Sequence, residues 1–264
     1  MDISVVILTW NSQDYIEKSI RKLIEDIGNL YEYEIFIVDN GSTDNTISHI
    51  NQLKKRFVKG IKPILLDRNY GTTYSRNIAL RKAVGRFIII MDSDVEVVKG
   101  TIRRLIDFLK NEPKAGIVAP KLIYPNGNLQ KSTDAFPTIL TKVLRYFFLR
   151  LLERKESAIY QETGVRKVDY AISAMWVMRR DLLEKVGLLD EKIFYAPEDV
   201  DYCLRIWKAG YKILYVPDVT CVHHTQEISR GIKINKATLE HIRGLAYYFK
   251  KHNYLFKKPR IVAH

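Results

Sequence analysis

Cysteine and long apolar runs are scarce in this sequence of 264 residues. Its two cysteines, Cys203 and Cys221, are too few for a disulfide framework and lack the CxxC or CxxH spacing of a zinc site, so we expect both in the core. The longest stretch without a charged side chain is 11 residues, 3–13, whereas a membrane-spanning helix needs about 20. The N-terminal residues also lack the basic segment and cleavage site of a signal peptide. These absences predict a reducing, cytoplasmic location.

The glycine-rich motifs of common nucleotide-binding folds are missing as well. Neither GxGxxG nor GxxxxGK[ST] occurs, which argues against a Rossmann dinucleotide fold and a P-loop nucleotidase. Hydrophobic residues make up 47% and charged residues 28%, as in ordinary globular proteins. The 43 Lys and Arg exceed the 30 Asp and Glu, and a net charge of +13 attracts phosphates, nucleic acids or anionic lipids. Charge alone leaves the class of anionic partner open.

Short apolar runs alternate with stretches of helical periodicity in the first half of the chain. The predicted strands are Ile3–Leu8, Glu34–Val38, Ile64–Leu66 and Arg86–Met91. The predicted helices between them are Tyr15–Ile27, with Ser12 as its N-cap, Thr46–Phe57 and Thr73–Ala83. Strands that alternate with helices are typical of βαβ units. We therefore predict an α/β fold with a mainly parallel central sheet flanked by helices.

The pattern is less regular beyond residue 92. It predicts helices at Thr101–Asn111, Arg180–Val186 and through Arg205–Ala209, and strands at Gly116–Pro120 and Tyr211–Val216. The pattern of Thr138–Lys155 predicts a basic amphipathic helix. The tail Lys233–Arg260 is rich in lysine and aromatic residues. Each of these two segments is compatible with an anionic membrane surface or with packing on the sheet.

Acidic residues follow two of the predicted strands at the edge where open α/β sheets bind ligands. Asp39 follows the second strand, and Asp92-Ser93-Asp94 follows the fourth. Two carboxylates at the end of a buried strand repel each other unless a cation lies between them, and a divalent cation can bridge them to a diphosphate. An isolated DxD triplet more often forms a solvated turn, and Asp39 with its Asn, Gly and Ser neighbours also fits a plain turn.

The second half of the chain adds an acidic cluster and two histidines. Glu198 and Asp199 follow Pro197 at a predicted helix N-terminus, where a carboxylate is kept ionised and oriented as a general base must be. The spacing of Asp201 and Arg205 predicts an ion pair. His223 and His224 are adjacent in a strand, so at most one of them can face a metal site.

Six sequence blocks in fixed order resemble the family 2 glycosyltransferases of the GT-A fold, in particular their rhamnosyltransferase-like branch. The blocks, which span residues 3–224, are ISVVILTWN, FIVDNGSTD, NYGTTYSRN, IIIMDSD, APEDVDYCLR and GYKILYVPDVTCVHH. Each block alone is weak, but their order and spacing are specific. The resemblance implies one GT-A-like catalytic domain over residues 1–230. It would comprise a nucleotide-sugar half (1–130), a variable amphipathic segment (131–165) and an acceptor half (166–230), with 231–264 as a basic aromatic extension.

The resemblance also implies roles for individual residues. The positions that it assigns to the donor nucleotide are Thr9, Asn11, Asp39, Gly41, Arg76, Asp92 and Ser93. The positions that it assigns to a divalent metal, Mn²⁺ or Mg²⁺, are Asp94, Asp92 and His223. Asp199 matches the catalytic base, with Glu198 as its acidic neighbour.

The implied reaction is inverting, metal-dependent transfer of a sugar from a UDP-, dTDP- or GDP-linked donor to a hydroxyl of a glycan or lipid-linked saccharide. We expect this reaction in cell-surface polysaccharide or glycoconjugate synthesis, with the enzyme in the cytoplasm or peripheral at the inner face of the membrane. A basic nucleic-acid-binding protein is an alternative, but it leaves the acidic clusters unexplained, so we expect no nucleic acid partner. A sugar-phosphate nucleotidyltransferase is a second alternative, although the glycine-rich, arginine-bearing N-terminal loop of such enzymes is missing.

Overall fold

The computed structural model describes residues 1–28, 30–57, 60–141, 164–225 and 236–259, with the backbone alone at 236–238. Most of the helix predicted at Thr138–Lys155 lies outside the described residues, as do residues 226–235, which include the start of the extension predicted at 231–264. The helices and strands below therefore refer to the five described ranges.

A ten-stranded sheet forms the centre of the protein, in the order β3-β2-β1-β4-β11-β6-β12-β5, with β7 beside β6 and β9 beside β12. The strands of this sheet are β1 Ile3–Thr9, β2 Tyr33–Asp39, β3 Ile61–Leu65, β4 Phe87–Asp92, β5 Val95–Val97, β6 Ala115–Ile123, β7 Leu129–Gln130, β9 Arg166–Lys167, β11 Met175–Arg179 and β12 Lys212–His223. A two-stranded sheet pairs β8 Thr133–Asp134 with β10 Tyr170–Ala171.

The described helices cover both faces of the central sheet. They are α1 Ile16–Ile27, α2 Thr46–Arg56, α3 Thr72–Leu80, α4 Thr101–Asn111, α5 Asp181–Val186, α6 Glu198–Lys208 and α7 Lys236–His252. Apolar side chains of α1, α2 and α4 pack on one face, and those of α3, α5, α6 and α7 pack on the other. Both cysteines are buried, as the sequence predicted. None of the helices in the described ranges combines the length and hydrophobicity needed to cross a lipid bilayer.

The predicted α/β fold is confirmed, but the sheet is mixed. β1, β2, β3 and β4 run parallel to one another, and β6 is parallel to β12. β11, however, is antiparallel to both β4 and β6, and β5 is antiparallel to β12. An apolar run indicates that a strand is buried and carries no information about its direction, so the sequence pattern could not reveal the antiparallel strands.

The predicted N-cap of the first helix is wrong. α1 begins at Ile16, its cap position is Tyr15, and no side chain caps it. The Ser12 carbonyl accepts the backbone N–H of Tyr15 and Ile16, while its hydroxyl donates to the Trp10 carbonyl and accepts from Ser93. Ser12 therefore joins the β1 loop to the loop after β4.

The basic aromatic C-terminal segment contains a helix that packs on α6. Tyr248 and Phe249 of α7 are buried in the core. Gly244 lies so close to the Ala196 carbonyl that a Cβ atom would not fit there. Lys251 and Tyr247 both bind the carboxylate of Asp190. The proposed division of the chain at residue 230 stays a prediction.

Asp201 is the main polar contact between α6 and α7. Its side chain is 1% exposed, forms the predicted ion pair with Arg205 at 3.0 Å, and meets Lys251 and His252 of α7 at 2.7 and 2.8 Å. Burial alone would raise the pKa of Asp201, but the hydrogen bond from His252 and the charges of Arg205 and Lys251 lower it to about 2. The ionised carboxylate therefore stabilises the folded state.

We predict that Asp201→Asn destabilises the protein in a pH-dependent way. A pKa lowered from 3.8 to about 2 corresponds to roughly 2 kcal/mol of folding free energy. Because the folded pKa is depressed, this contribution is fully present above about pH 4 and is lost as the pH falls towards 2. Denaturant unfolding at a series of pH values measures it. The matched control is Asp218→Asn at an exposed position of β12. A stability difference that stays constant down to pH 2 would contradict the assignment.

Candidate active site

The predicted donor residues lie together at the carboxyl edge of the parallel strands. In the register of the sheet, Thr9 of β1 is the partner of Asp39 of β2, and Leu8 is the partner of Asp92 of β4. Strand ends at this edge form the usual ligand crevice of an open α/β sheet. The sheet therefore brings Thr9, Asp39 and Asp92 to neighbouring strand ends, as the sequence predicted.

The loops after β1 and β2 are tied to each other by side chains. The Asp39 carboxylate accepts hydrogen bonds from the backbone N–H and the hydroxyl of Ser42. The Ser42 hydroxyl in turn accepts the N–H of Asn11, and the Asn11 amide oxygen accepts the N–H of Thr43. Gly41 has a φ of 77°, and a Cβ atom there would collide with the backbone of Arg68. These contacts give the predicted donor loops one defined shape.

Thr9 is a buried residue at this edge with an unsatisfied polar group. It is 1% exposed, and within the described ranges its hydroxyl has no hydrogen-bond partner. A buried hydroxyl without a partner is costly, by about 1–3 kcal/mol. The hydroxyl is thus available to a ligand that enters between β1 and β2.

Asn40 is a structural part of the site that sequence reasoning missed. Its amide oxygen accepts the N–H of Tyr70 and the hydroxyl of Ser75, and its amide nitrogen donates to Asn69. Asn40 therefore fixes the turn that begins α3. The only sequence signal was its place in the block FIVDNGSTD, next to Asp39.

Asp92, Asp94 and His223 form a cluster whose geometry suits a metal ion. One ligand atom from each residue lies within 4.8 Å of the others, and His223 Nε2 is 3.3 Å from Asp94 Oδ1. The antiparallel pairing of β5 with β12 creates this proximity, because Val95 is the partner of His223 and the N–H of His224 donates to the Asp94 carbonyl. Two carboxylates and one imidazole are a suitable donor set for Mn²⁺ and, less well, for Mg²⁺.

The electrostatics of the cluster follow from its partial burial. Burial raises the pKa of the Asp92 carboxyl, the charge of Arg76 opposes that rise, and the neighbouring Asp94 adds to it. Burial alone would lower the pKa of His223, but the hydrogen bond and charge of Asp94 outweigh it and raise the pKa. The same carboxylates that hold a proton on His223 would attract a divalent metal cation to the space between the three side chains.

Arg76 of α3 connects this cluster to the acidic residues of α6. Its guanidinium, which is 2% exposed, donates to Asp92 Oδ1 and to the hydroxyl and carbonyl of Ser173. It also lies 3.5 Å from Glu198 Oε1, which accepts the Ser173 hydroxyl at 2.9 Å. Ser173 is thus a second residue that sequence reasoning missed, since a lone serine before a strand carries no local signal.

Glu198 and Asp199 lie at the N-terminus of α6, but in different environments. Glu198 is 8% exposed, and burial together with the charge of Asp199 raises its pKa to about 8, against the opposing effects of Arg76 and Ser173. Asp199 is only half-buried and accepts the N–H of Val200. The more accessible carboxylate at this turn is therefore Asp199.

Several predicted residues serve contacts within the protein in this structure. The Ser93 hydroxyl donates to Ser12, and both residues are buried. His224 faces away from the cluster, since its Nε2 is 2.6 Å from Glu96 and its ring lies against Tyr15, with centroids 5.2 Å apart and the planes tilted by 33°. The two histidines thus diverge, as the sequence predicted, and His223 is the one that meets Asp94.

The mixed sheet thus brings Asp92 and Asp94 of the first half of the chain together with His223 of the second half at one edge. The model of the family "Glycosyl transferase family 2" matches residues 4–187, most of the chain, and the protein belongs to this family. The family and enzyme class that the sequence predicted are thereby confirmed. Glu198, Asp199 and His223 lie beyond the matched range.

Curated relatives include bacterial transferases of rhamnose and of N-acetylglucosamine. An N-acetylglucosaminyl-diphospho-decaprenol L-rhamnosyltransferase of Mycobacterium tuberculosis is 28% identical over 239 residues, which cover 84% of this chain and 76% of the relative. The poly(ribitol-phosphate) β-N-acetylglucosaminyltransferase TarS of Staphylococcus aureus is 25% identical over 207 residues, 74% of this chain and 35% of TarS. The chain therefore spans three quarters of the first relative and about a third of the second.

Solved structures show the same fold at low sequence identity. GalNAc-T7 with UDP, GalNAc and Mn²⁺ has a TM-score of 0.70 at 18% identity, over 94% of this chain and 48% of that one. The mannosyltransferase PcManGT of Pyrobaculum calidifontis, in complex with GDP-Man and Mn²⁺, has a TM-score of 0.62 at 22% identity, over 97% of this chain and 65% of that one. The predicted GT-A-like fold is confirmed by these neighbours.

Proposed function

We propose that the protein transfers a sugar, with inversion at the anomeric carbon, from a nucleoside-diphosphate donor to a hydroxyl of a saccharide acceptor. The observation that carries the proposal is one continuous row of groups. The donor residues Thr9 and Asp39 lie on one side of the Asp92, Asp94 and His223 cluster, and Glu198 and Asp199 lie on the other. Donor, metal and acceptor functions would thus meet in a single crevice.

The metal cluster is where the diphosphate of the donor would lie. Asp94, Asp92 and His223 would hold Mn²⁺ or Mg²⁺. A bound divalent cation stabilises the negative charge that develops on a departing diphosphate. Arg76 would keep the Asp92 carboxylate oriented through its buried ion pair. Neighbouring structures that contain Mn²⁺ support a divalent ion, and the donor set favours Mn²⁺ over Mg²⁺.

The nucleotide would bind between the loops after β1 and β2. Thr9 offers a buried hydroxyl without a partner, and Asp39 offers carboxylate oxygens that now accept from Ser42. A base N–H could replace the Ser42 hydroxyl as donor to Asp39. Structures of this fold contain UDP, UDP-GlcNAc and GDP-Man, which supports UDP- and GDP-sugars as the donors to test, and dTDP-sugars are included as the sequence predicted.

Asp199 is the proposed base that takes the proton from the attacking hydroxyl. It is the more accessible of the two carboxylates at the start of α6. Glu198 is held by Ser173 and Arg76, which position the first turn of the helix. A saccharide carried on a lipid is the acceptor class that we favour, because the name of the mycobacterial relative states a diphospho-decaprenol acceptor.

Contact with an anionic membrane would give access to such an acceptor. Leu140, Leu255 and Phe256 are exposed, and the N–H of Ile139 donates to the Leu255 carbonyl, which brings the start of the amphipathic segment to the tail. Lys257 and Lys258 follow directly and are exposed. Apolar side chains flanked by lysines bind anionic lipid surfaces, with about 1 kcal/mol from each cation.

We predict that Asp94→Asn retains the fold but loses metal-dependent turnover. The substitution removes one negative charge from the proposed metal site while it preserves the size of the side chain. Donor hydrolysis with UDP-, dTDP- and GDP-sugars, with and without Mn²⁺ or Mg²⁺, measures the effect. The matched control is Asp67→Asn, an exposed carboxylate on the loop before α3. Full turnover of Asp94→Asn in excess chelator would refute the metal role, and binding of duplex DNA without any nucleotide-sugar binding would refute the proposed function.

We predict that Asp199→Asn reduces transfer by about 10²- to 10⁴-fold, the usual contribution of a general base. Asn is nearly isosteric with Asp but cannot accept the proton. Donor affinity should be unchanged, because the proposed nucleotide contacts lie in the first half of the chain. Calorimetric donor binding and acceptor turnover are measured on the same variant. Unchanged turnover would exclude Asp199 as the base, and joint loss of donor binding and turnover would indicate a structural role.

We predict that the protein binds vesicles containing phosphatidylglycerol at low salt and is released at high salt. The double variant Leu255→Ser/Phe256→Ser should bind more weakly, since it removes the exposed apolar contact. Leu30→Ser, an equally apolar and exposed position after α1, is the matched control. Vesicle flotation measures the bound fraction. Failure of the wild-type protein to float with anionic vesicles would refute the membrane contact and leave the transfer reaction untouched.

A further inference from the structure

The imidazole of His223 has a different partner at each nitrogen. Nε2 lies 3.3 Å from Asp94 Oδ1, in the metal cluster. Nδ1 lies 2.8 Å from the side-chain oxygen Oε1 of Gln130, on the opposite side of the ring. Gln130 is 6% exposed, so water cannot easily replace it as the partner of Nδ1.

The sheet places Gln130 at this position through two strand pairings. Gln130 of β7 is the partner of Leu122 in β6, and Leu122 is the partner of Cys221 in β12. β6 therefore lies between β7, which carries Gln130, and β12, which carries His223. The two side chains form their hydrogen bond over β6. Two residues further on, the Ser132 carbonyl accepts the N–H of Ile172, which ties the same segment to the Ser173 side of the site.

The chemistry of the amide fixes the position of the imidazole proton. A carbonyl oxygen only accepts, so Nδ1 must carry the proton when it faces Oε1. In the metal-free protein an Nε2 proton is donated to Asp94 Oδ1; when a cation takes the place of that proton, the retained Nδ1–H leaves the lone pair of Nε2 directed at Asp92 and Asp94. The opposite amide orientation would present NH₂ to Nδ1, place the proton on Nε2 and block that nitrogen as a ligand.

We propose that Gln130 is a positioning residue that holds His223 in the Nδ1–H tautomer and thereby makes it a metal ligand selective for Mn²⁺ over Mg²⁺. The proposal rests on the proposed function, because it assumes that the cluster binds a divalent ion. Mg²⁺ binds chiefly to oxygen ligands, whereas Mn²⁺ tolerates an imidazole better, so the orientation of the ring matters more for Mn²⁺. Partners of this kind change metal affinity by 10- to 100-fold.

Two variants of Gln130 distinguish the effect of its hydrogen-bond acceptor from the effect of its side-chain volume. Gln130→Leu removes the acceptor, and Gln130→Glu keeps an oxygen in the same place. Gln52→Leu, which makes the same change on the exposed face of α2, is the matched control. Thermal unfolding of each variant shows whether the fold is preserved.

We predict that Gln130→Leu binds Mn²⁺ about 10- to 100-fold more weakly than the wild type. Mg²⁺ affinity should change less, and Gln130→Glu and Gln52→Leu should stay within a few-fold of wild-type Mn²⁺ affinity. Mn²⁺ titration followed by electron paramagnetic resonance, with Mg²⁺ as competitor, gives both dissociation constants without any sugar donor. Equal Mn²⁺ affinity of Gln130→Leu and wild type, or an equal loss for both ions, would overturn the proposal.

A second measurement tests the tautomer with the diamagnetic ion Cd²⁺ bound, because a cation in the cluster removes Asp94 as the acceptor of an Nε2 proton. Long-range ¹H–¹⁵N spectra of histidine-labelled, Cd²⁺-loaded protein, assigned with His223→Asn, should show the Nδ1–H form in the wild type and in Gln130→Glu. An Nε2–H form in the wild type would overturn the proposal even if Mn²⁺ binds. Conversely, a wild type that shows the Nδ1–H form but does not bind Mn²⁺ would overturn both the metal selectivity proposed here and the metal dependence of the proposed function.

Discussion

The buried guanidinium of Arg76 is the group on which the rest of the site depends. It is 2% exposed and lies between Asp92 at the end of β4 and Glu198 at the start of α6. A buried guanidinium without a partner costs several kcal/mol, and the side chains of Asp92 and Glu198 both lie close enough to Arg76 to offset that cost. Since the two carboxylates belong to opposite halves of the chain, their shared cation joins the proposed donor side to the proposed acceptor side. Ser173 completes this link, because it accepts from Arg76 and donates to Glu198.

The antiparallel strands bring residues of the second half to an edge that the parallel strands create. β11 pairs with β4 so that Met175 is the partner of Met91 and the Ala174 carbonyl accepts the N–H of Asp92, which places Ser173 within reach of Arg76. β12 pairs with β5, which sets His223 against Asp94. Parallel strands alone would supply Thr9, Asp39 and Asp92 but not the imidazole or the serine. The mixed sheet is therefore the structural reason that both groups of residues lie at one edge.

The sequence predicted those parts of the molecule that depend on local pattern. Buried apolar runs predicted the strands β1, β2 and β4. The acidic residues that follow these runs predicted that Asp39, Asp92 and Asp94 lie at the ligand-binding edge of the sheet. The Asp201–Arg205 pair followed from helical spacing. Ser173 and Gln130 could not be predicted, because each acts on a partner more than ninety residues away, at separations of 97 and 93. The direction of β11 was equally hidden, and Ser12 bonds to Ser93, 81 residues on, instead of capping α1.

Contacts from two sides restrain the first turn of α6. This restraint would hold the proposed base, Asp199, in a fixed position. Arg76 and Ser173 hold Glu198 from the sheet, while Asp201, one turn further along the helix, is bound by Lys251 and His252 of α7. Asp199 lies between these two restrained residues. A half-buried carboxylate with restrained residues on either side loses little conformational freedom when an acceptor binds, which favours it as a preorganised proton acceptor. All of these acidic residues lie beyond the family match at residue 187, so the proposed acceptor chemistry would come from the C-terminal part of the chain.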